Sequence, residues 1–364
     1  MSIDFTKVEL IDAKTRFVLK RTVIGSKQVF NRKHAVTNQI FAYERKRMEK
    51  EKELFPNAVY QTHHIFSDKK TGWDYSSLSE ASSHAETQNR VFIPFKQRNK
   101  KQWVFSWDEA ESSAQNLATK GMQVIEYPIP LTATLEDWKK YKERIKKKLL
   151  PSQDLMPLLN ILTNEQGFKD IIKYEISESK FIGIHLYELA NALEILNLSR
   201  LRIANLSVKE GNLCALIIGF NAPRKLAKKF ESINSSFVYS MFGFDIFSQE
   251  QMSPAQMKAM LNDKDKIQNV FWFYDSTQGN YSTNPEQEIW HGTGLIEFIT
   301  NKVPVADALN EYQVLIWFSL KFEQDDLNIL NDLLLQKADV YDYIRNNKPK
   351  WYGFWDKYND FIPL

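Results

Sequence analysis

Residues 122–129 read Met-Gln-Val-Ile-Glu-Tyr-Pro-Ile, and residues 155–162 read Leu-Met-Pro-Leu-Leu-Asn-Ile-Leu. Three further short apolar runs follow at residues 181–187, 213–220 and 237–247. Short apolar runs without polar alternation are typical of parallel strands that are buried on both faces. The segments between the runs are long enough for crossover helices. This rhythm predicts an α/β fold, either a TIM-barrel-like (βα) repeat or a partial barrel. An open doubly wound sheet would produce the same pattern.

The sequence before and after these repeated apolar runs predicts the domain organisation. Residues 5–30 alternate apolar and polar side chains around a short polar turn, which predicts a β-hairpin. A basic helix is expected to begin near Arg32 and to end at Pro56, and a polar, serine-rich loop follows it. We therefore expect two domains. Residues 1–89 hold the N-terminal hairpin, basic helix and polar loop, and residues 90–364 form the α/β, barrel-like domain with an aromatic C-terminal tail.

The C-terminal part carries two predicted elements and an aromatic tail. Residues 313–322 are mostly apolar and are predicted as a long strand. Leucines at helical spacing in residues 325–344 predict a helix. Residues 351–364 are rich in Trp, Tyr and Phe, so we expect them to pack onto the body of the protein or onto a protein partner.

Composition limits the class of protein. Hydrophobic residues make up 43% of the chain and charged residues 26%, an ordinary globular balance that excludes disorder as the main state. Glycine accounts for only 12 of 364 residues, which argues against phosphate sites built on glycine-rich turns. The single cysteine, Cys214, excludes an internal disulfide and fits a reducing compartment. No apolar run approaches the roughly 20 residues of a membrane helix, and the first residues do not resemble a signal peptide. We expect a cytoplasmic protein that does not bind membranes.

Basic residues are clustered, although the net charge is only +3. The strongest cluster lies in the predicted helix of residues 136–150, where seven basic side chains stand against three acidic ones. Such clusters can contact the phosphates of DNA or RNA. A solvated helix face is the alternative, because the helix dipole also favours cations near a C-terminus. The predicted nucleic-acid-binding residues are Arg45, Lys46, Arg47, Lys100, Lys101, Lys139, Lys140, Lys146, Lys147 and Lys148.

Acidic, amide and imidazole side chains stand at the ends of the predicted strands. In parallel α/β folds, ligands bind at the carboxyl ends of strands because the loops there vary on a fixed scaffold. The strand-end residues are Glu126, Asn160, His185, Glu188, Asn221, Asp245 and Asp275. Carboxylates and histidine are the groups used in acid–base and glycosyl chemistry. The predicted catalytic residues are Asp245, Asp275, His185 and Glu188.

Each of these predictions has a structural alternative. Asp245 has aromatic neighbours, a desolvated setting in which catalytic carboxylates are found, but it could instead cap the next turn through its side chain. His185 and Glu188 stand three residues apart and could form an acid–base pair. Polar neighbours at this spacing also arise by chance where a strand leads into a helix.

The sequence shows no specific catalytic, metal or cofactor motif. It contains no Gly-x-Ser-x-Gly, His-Glu-x-x-His or Cys-x-x-Cys pattern. His63, His64 and His84 could bind a metal, but adjacent histidines in a strand point to opposite faces. Residues 290–294 contain two glycines and His291 without the pattern of a P-loop or a dinucleotide fingerprint. We therefore expect no metal and no cofactor.

One short segment resembles a known family. Residues 243–247 read Gly-Phe-Asp-Ile-Phe and resemble the strand segment that carries the catalytic aspartate in tRNA-guanine transglycosylases, which are (βα) barrels. The resemblance covers these five residues and implies base-exchange chemistry on a nucleic acid. The chain departs from the family at Ser248, where the family places its nucleophilic aspartate, and it lacks the family's cysteine-rich zinc site.

Two functional hypotheses follow from these patterns. The first is a nucleic-acid-associated cytoplasmic α/β protein that acts on a base or sugar by carboxylate and histidine acid–base chemistry. The alternative is a non-enzymatic structural or adaptor subunit of a phage, defence or secretion complex, because abundant aromatics and an apolar tail suit buried protein–protein contacts. A stable, soluble monomer with a concave polar site would favour the enzyme. Aggregation in the absence of a co-expressed neighbour would favour the subunit.

Overall fold

The structure is a computed structural model that combines a parallel sheet with flanking helices, which confirms the predicted α/β class. The residues that it describes are 5–24, 27–37, 60–62, 65–68, 72–73, 75, 78, 90–96, 105–186, 192–222, 235–249, 273–282 and 305–358.

The N-terminal segment begins with an antiparallel sheet, which confirms the predicted hairpin. Its strands are β1 (Phe5–Ile11), β2 (Val18–Ile24) and β3 (Lys27–Phe30). The side chain of Asp12 accepts hydrogen bonds from the backbone and the hydroxyl of Thr15. An aspartate that binds the backbone ahead of it closes a tight turn, and this turn joins β1 to β2.

Short strands follow in the next described ranges. They are β4 (Lys33–His34), β5 (Val36–Thr37), β6 (Tyr60–Thr62), β7 (Ile65–Asp68), β8 (Gly72–Trp73), β9 (Arg90–Phe92) and β10 (Phe95–Lys96). The strands β5, β6 and β9 form a parallel three-stranded sheet, and β10, β7 and β8 form a mixed three-stranded sheet. The helix predicted from Arg32 is wrong over residues 33–37, where pairing with other strands satisfies the backbone instead. The rest of that predicted helix lies outside the described residues.

The main sheet is built by alternating strands and helices. In chain order they are α1 (Trp107–Thr119), β11 (Val124–Pro128), α2 (Leu135–Lys146), β12 (Asp154–Asn160), α3 (Glu165–Glu178), β13 (Phe181–His185), α4 (Ala192–Leu206), β14 (Leu216–Ala222), α5 (Ser235–Met241) and β15 (Ile246–Gln249). Six parallel strands lie in the order β11-β12-β13-β14-β15-β4. The sixth strand comes from the N-terminal segment, where His34 is the register partner of Phe247.

Burial on both faces explains why the sheet strands have continuous apolar sequences. Every residue of β11 and of β13 is buried. Helices α1, α2 and α3 each present an apolar stripe to the sheet, and each begins at a polar residue whose side chain accepts a backbone N–H bond. These capping residues are Ser106, Thr134 and Asn164. The helices therefore start at fixed positions just beyond the sheet edge.

In the described residues after 249, the chain forms a short hairpin and three helices. The elements are β16 (Phe273–Asp275), β17 (Asn280–Ser282), α6 (Val305–Leu335), α7 (Val340–Asn347) and α8 (Pro349–Tyr358). The long strand predicted at residues 313–322 is wrong, because these residues lie inside α6. A continuous apolar run does not by itself distinguish a buried strand from a helix. Among the described helices, none has the length and apolar character needed to cross a membrane.

The apolar run of residues 237–247, predicted as a single strand, is divided between a helix and a strand. Its first residues belong to α5 and its last to β15, with a turn between them at Gly243. The φ of Gly243 is 95°, a left-handed conformation that favours glycine, and an added Cβ would collide with Asn205. The glycine therefore permits the break that the apolar pattern concealed.

The described part of the aromatic tail packs onto the protein itself. Trp351, Phe354 and Trp355 are buried. The ring of Trp351 stacks on Phe237 with centroids 4.3 Å apart, and Trp355 meets Phe17 of the N-terminal hairpin at 5.6 Å. These residues join the two ends of the chain within one core. Residues 359–364 lie outside the described part.

Candidate active site at the carboxyl edge of the sheet

Three polar side chains share one face of neighbouring strands of the main sheet, and two of them lie at its carboxyl edge. Asn160 ends β12, His185 ends β13, and the two residues are direct register partners. Glu126 in β11 pairs with Met156, which lies four residues before Asn160 and therefore on the same face of β12. Neighbouring strands lie about 4.8 Å apart. Asn160 and His185 therefore meet at the carboxyl edge. The expectation that Glu126 ends its strand is wrong: it is the middle residue of β11 and lies roughly 13 Å deeper along the strands than Asn160, at about 3.3 Å per residue.

Glu126 is a fully buried carboxyl group. Its Oε1 accepts a 2.6 Å hydrogen bond from the backbone N–H of Ile93, and its Oε2 has no hydrogen-bond partner among the described residues. Burial raises the pKa of Glu126 to about 8, because desolvation disfavours the charged form more than the bond from Ile93 favours it. Near neutral pH this carboxyl is mostly protonated and can donate a hydrogen bond.

Asn160 is fully buried beside the same edge. Its Oδ1 accepts a 2.8 Å bond from the backbone N–H of Leu162, which fixes the orientation of the amide. Its Nδ2 has no acceptor within the described ranges. An amide nitrogen carries two hydrogens, so Asn160 retains donor capacity that a bound ligand could use.

His185 is buried at the end of β13, and the space beneath it is closed. Gly183 lies two residues earlier on the same face. An added Cβ at Gly183 would come within 2.8 Å of both Leu158 and Phe220. Apolar side chains therefore fill the interior below the imidazole. Glu188, the predicted partner of His185, lies outside the described residues.

Hydroxyl groups extend the polar edge onto the second parallel sheet. Ser248 Oγ donates a 3.2 Å hydrogen bond to Thr62 Oγ1, and both side chains are buried. Thr62 ends β6, and Ser248 is the next-to-last residue of β15. Neither residue is an acid, an amide or an imidazole, so neither belongs to the predicted set of strand-end residues. A buried hydroxyl carries no distinctive sequence signal.

The expectation that Asp245 stands at a carboxyl end is wrong. It precedes β15 and therefore lies at the amino edge of the sheet, opposite to Asn160 and His185. Its carboxylate is fully buried and accepts bonds of 2.7 Å from Lys20 Nζ, 2.8 Å from Asn31 Nδ2 and 2.8 Å from the backbone N–H of Ile217. These contacts fasten the N-terminal hairpin to the sheet. The strand begins later than the sequence suggested, which moves Asp245 to the other edge.

Asp275 likewise lies away from the parallel strands. It ends β16 of the antiparallel hairpin. Its Oδ1 accepts a 2.9 Å bond from the Thr277 backbone N–H and a 2.6 Å bond from the Thr277 hydroxyl. This is an aspartate-closed turn. Asn221 lies within β14, and its side chain is outside the described set.

The basic helix α2 is partly neutralised by its neighbours. Lys142 is buried and donates a 2.6 Å bond to Glu175 Oε1. Arg144 and Lys148 both pair with Glu111. The remaining predicted phosphate contacts in this region, Lys139, Lys140, Lys146 and Lys147, are exposed. Arg45, Lys46, Arg47, Lys100 and Lys101 lie outside the described residues, as do His63, His64, His84 and His291.

Comparison with known proteins assigns no family to the chain. No protein-family model matches it, and no curated protein matches its sequence. The functional argument therefore rests on the geometry of the site.

Proposed function

We propose that the protein is a cytoplasmic enzyme that acts on a base or a sugar by acid–base chemistry at the carboxyl edge. Glu126 and His185 would be the proton-transferring groups, and Asn160 would orient the substrate. One observation carries the proposal: Glu126 is a fully buried carboxyl with a pKa raised to about 8, in the interior of the sheet on the same face as Asn160 and His185, which lie at the edge where parallel α/β proteins bind ligands. Strongly perturbed titratable groups in such positions are candidates for catalysis.

We further propose that the parallel strands close into a (βα) barrel. The strands β4 and β5 are separated only by Ala35, and they pair with β15 and β6 respectively. β6 pairs with β9, and β9 lies beside β11, the first strand of the main sheet. With β4 and β5 counted as one strand, closure would join β11, β12, β13, β14, β15, β4–β5, β6 and β9 into one ring of eight. The bond between Ser248 and Thr62 supports this arrangement, because inward side chains of alternate barrel strands share a layer.

The chemistry follows from the protonation states. A carboxyl with a pKa of about 8 holds its proton at pH 7. It can therefore protonate a ring nitrogen or a leaving oxygen of the substrate. Imidazole is the side chain best suited to accept a proton near neutral pH, which assigns the role of base to His185. The free donor of Asn160 would bind an oxygen or nitrogen of the same substrate.

The test is turnover of a panel of nucleosides, nucleotides and simple glycosides, followed by chromatography and mass spectrometry. We expect base or sugar release or exchange by the wild-type protein. Glu126→Gln and His185→Gln should each lower the rate by about 10²–10⁴-fold, the usual contribution of an acid–base group. Asp275→Asn is the matched control, because asparagine can close the same turn.

Two results would contradict the proposal. One is full activity in both Glu126→Gln and His185→Gln. The other is the absence of turnover across the panel by a folded wild-type protein. Loss of activity in Asp275→Asn as large as in Glu126→Gln would show that the effect is not specific to the carboxyl edge.

We also propose that the outer face of α2 associates with DNA or RNA. Lys140, Lys146 and Lys147 are exposed and form no ion pair with any described residue. Lys140 Nζ lies 5.9 Å from the ring centroid of Tyr141, and the partly exposed rings of Tyr141 and Trp107 stack at 4.4 Å with an interplanar angle of 2°. Cations next to aromatic rings suit single strands, whose bases can stack and whose phosphates need neutralising.

A salt titration tests this association. The triple variant Lys140→Gln, Lys146→Gln, Lys147→Gln should bind single strands more weakly and lower the salt slope by about two, the change expected for three lost phosphate contacts. The control triple variant changes Lys209, Lys337 and Lys350, which are exposed on other elements. Absence of binding at low salt, or an equal effect of both triple variants, would contradict the proposal.

A further inference from the structure

A second region of the protein buries more positive than negative charge. Among the residues that the structure describes, the buried charged side chains at the amino edge of the sheet, where the N-terminal hairpin meets α4, α6 and α8, include Lys20, Arg32, Arg202 and Asp245. Lys20 and Asp245 neutralise each other at 2.7 Å. The guanidinium groups of Arg32 and Arg202 form no ion pair with a described carboxylate. A buried charge without a partner is costly, so their surroundings matter.

The Nη atoms of Arg32 bind neutral groups, although its Nε has no hydrogen-bond partner among the described residues. Its Nη1 donates a 2.8 Å bond to Asn331 Oδ1, and its guanidinium lies 4.9 Å from the centroid of Phe17. The nearby Asp245 carboxylate favours its charge, although desolvation still lowers the pKa of Arg32 to about 10. This cation therefore has hydrogen-bond partners and a carboxylate in its vicinity.

Arg202 has far weaker compensation. Its Nη2 is 3.5 Å from the carbonyl oxygen of Thr15, and its guanidinium lies 5.8 Å from the centroid of Trp355. Its Nη1 is buried without an acceptor, and no carboxylate of the described residues pairs with it. Arg202 is only 3% exposed. Desolvation and the nearby cation Arg16 lower the pKa of Arg202 to about 10.

We propose that Arg202 and Arg16 form a binding site for a phosphate group between the N-terminal hairpin, α4 and α8. Arg16 is exposed in the turn that contributes the Thr15 carbonyl, so an anion that approaches from solvent meets Arg16 before Arg202. The planar fork of a guanidinium matches phosphate oxygens in pairs. A phosphate monoester carries nearly two negative charges at pH 7, which balances two arginines. The site lies at the sheet edge opposite to Asn160 and His185 and does not depend on the proposed catalysis.

The experiment is thermal unfolding of the full chain in increasing inorganic phosphate, with chloride at equal ionic strength as the reference. A ligand that binds only the folded state raises Tm with its concentration. We expect phosphate to raise the Tm of the wild-type protein and to have no such effect on Arg202→Met, which retains a long side chain without the charge. Arg16→Gln, a substitution of an exposed residue, should weaken the response without any risk to folding.

The matched control is Arg200→Gln. Arg200 lies two residues from Arg202 on α4 and pairs with Glu165, so this variant should keep the full phosphate response. Adenosine monophosphate is compared with inorganic phosphate, and the larger Tm rise identifies a nucleotide or free phosphate as the source of the group. An equal rise in phosphate and chloride, or an undiminished response in Arg202→Met and Arg16→Gln, would overturn the proposal.

Discussion

The carboxylate of Asp245 and the ammonium of Lys20 lie 2.7 Å apart, and both side chains are completely shielded from solvent. The two residues are separated by 225 positions in the sequence. Lys20 also donates a 3.0 Å bond to the carbonyl of Ala215. The pair fastens the N-terminal hairpin to the amino edge of the main sheet, so Asp245 has a structural role in this fold.

Asp245→Asn should therefore destabilise the protein strongly. Removing one member of a buried ion pair leaves the other charge uncompensated, which typically costs about 3–5 kcal/mol. The measurement is chemical denaturation of the variant and the wild-type protein. The control is Asp325→Asn, because Asp325 is exposed and its pair with Lys321 spans 3.4 Å. A loss no larger than that of the control would contradict the structural role of Asp245.

The free energy of unfolding of Glu126→Gln, relative to that of the wild-type protein, should rise with pH. The folded-state pKa of Glu126 is about 8, above its ordinary value of 4.5. Between these values the unfolded chain ionises while the folded protein retains the proton, so the wild-type protein loses stability at up to roughly 1.4 kcal/mol per pH unit. Glutamine removes this loss. Denaturation of both proteins across this pH window measures the difference.

The control for the Glu126 measurement is Glu143→Gln on the exposed side of α2. Its stability relative to the wild-type protein should change little with pH over the same window. A Glu126→Gln difference that is equally flat would show that the buried carboxyl ionises normally in the folded protein.

Glu323→Gln should show the opposite pH trend. Burial raises the pKa of Glu323, but the buried His34, whose Nε2 lies 3.3 Å from Glu323 Oε2, and hydrogen bonds from Ser236 and Tyr281 outweigh it, so the pKa is lowered. A lowered pKa contributes stability above the ordinary value of 4.5, and this contribution disappears as pH falls through the folded-state pKa. The wild-type advantage over Glu323→Gln should therefore shrink in acid. Tm measured against pH tests this, and a constant advantage would contradict it.

Gly279→Ala should be far more damaging than alanine at two other glycines. Gly279 has a φ of 72°, and an added Cβ would lie 2.7 Å from Trp351 Nε1. Left-handed backbone costs an L-residue about 1–2 kcal/mol, and overpacking costs a further ~1–3 kcal/mol. Gly121 has a φ of 77° with open space around it, so its alanine variant should lose only the backbone part.

Gly353→Ala completes this comparison. Gly353 lies in α8, where a Cβ would meet nothing within 4 Å. Alanine favours helix over glycine by up to about 1 kcal/mol, so this variant should gain stability. Thermal unfolding ranks the three variants. A Gly279→Ala protein as stable as Gly121→Ala would show that the contact between β16–β17 and α8 is not close-packed.

The apolar runs predicted the parallel strands because burial on both faces leaves few polar residues in them. The same reasoning failed at residues 313–322, since a helix buried on all sides has an equally continuous apolar sequence. It failed again at residues 237–247, where a glycine in a left-handed conformation divides the run. Pattern alone cannot separate these cases, because periodicity disappears when every face is buried.

The candidate site could be predicted only in part. Asn160 and His185 were found because polar residues that end apolar strands are uncommon, whereas Glu126 lies in the middle of β11 and was wrongly expected at its end. Asp245 was misplaced because the residue at which β15 begins decides the sheet edge on which it lies. Its partner Lys20 could not be predicted, since the contact joins distant parts of the chain through tertiary structure alone.

The most direct test of the central claim is the titration of the Glu126 carboxyl in the folded protein. Carbon-13 NMR or infrared difference spectroscopy, with Glu126→Gln to assign the signal, follows its protonation with pH. We predict a carboxyl that remains protonated through pH 7 and ionises near pH 8. Ionisation near the ordinary value of 4.5 would contradict the account, because Glu126 would then be a carboxylate at neutral pH with no proton to donate.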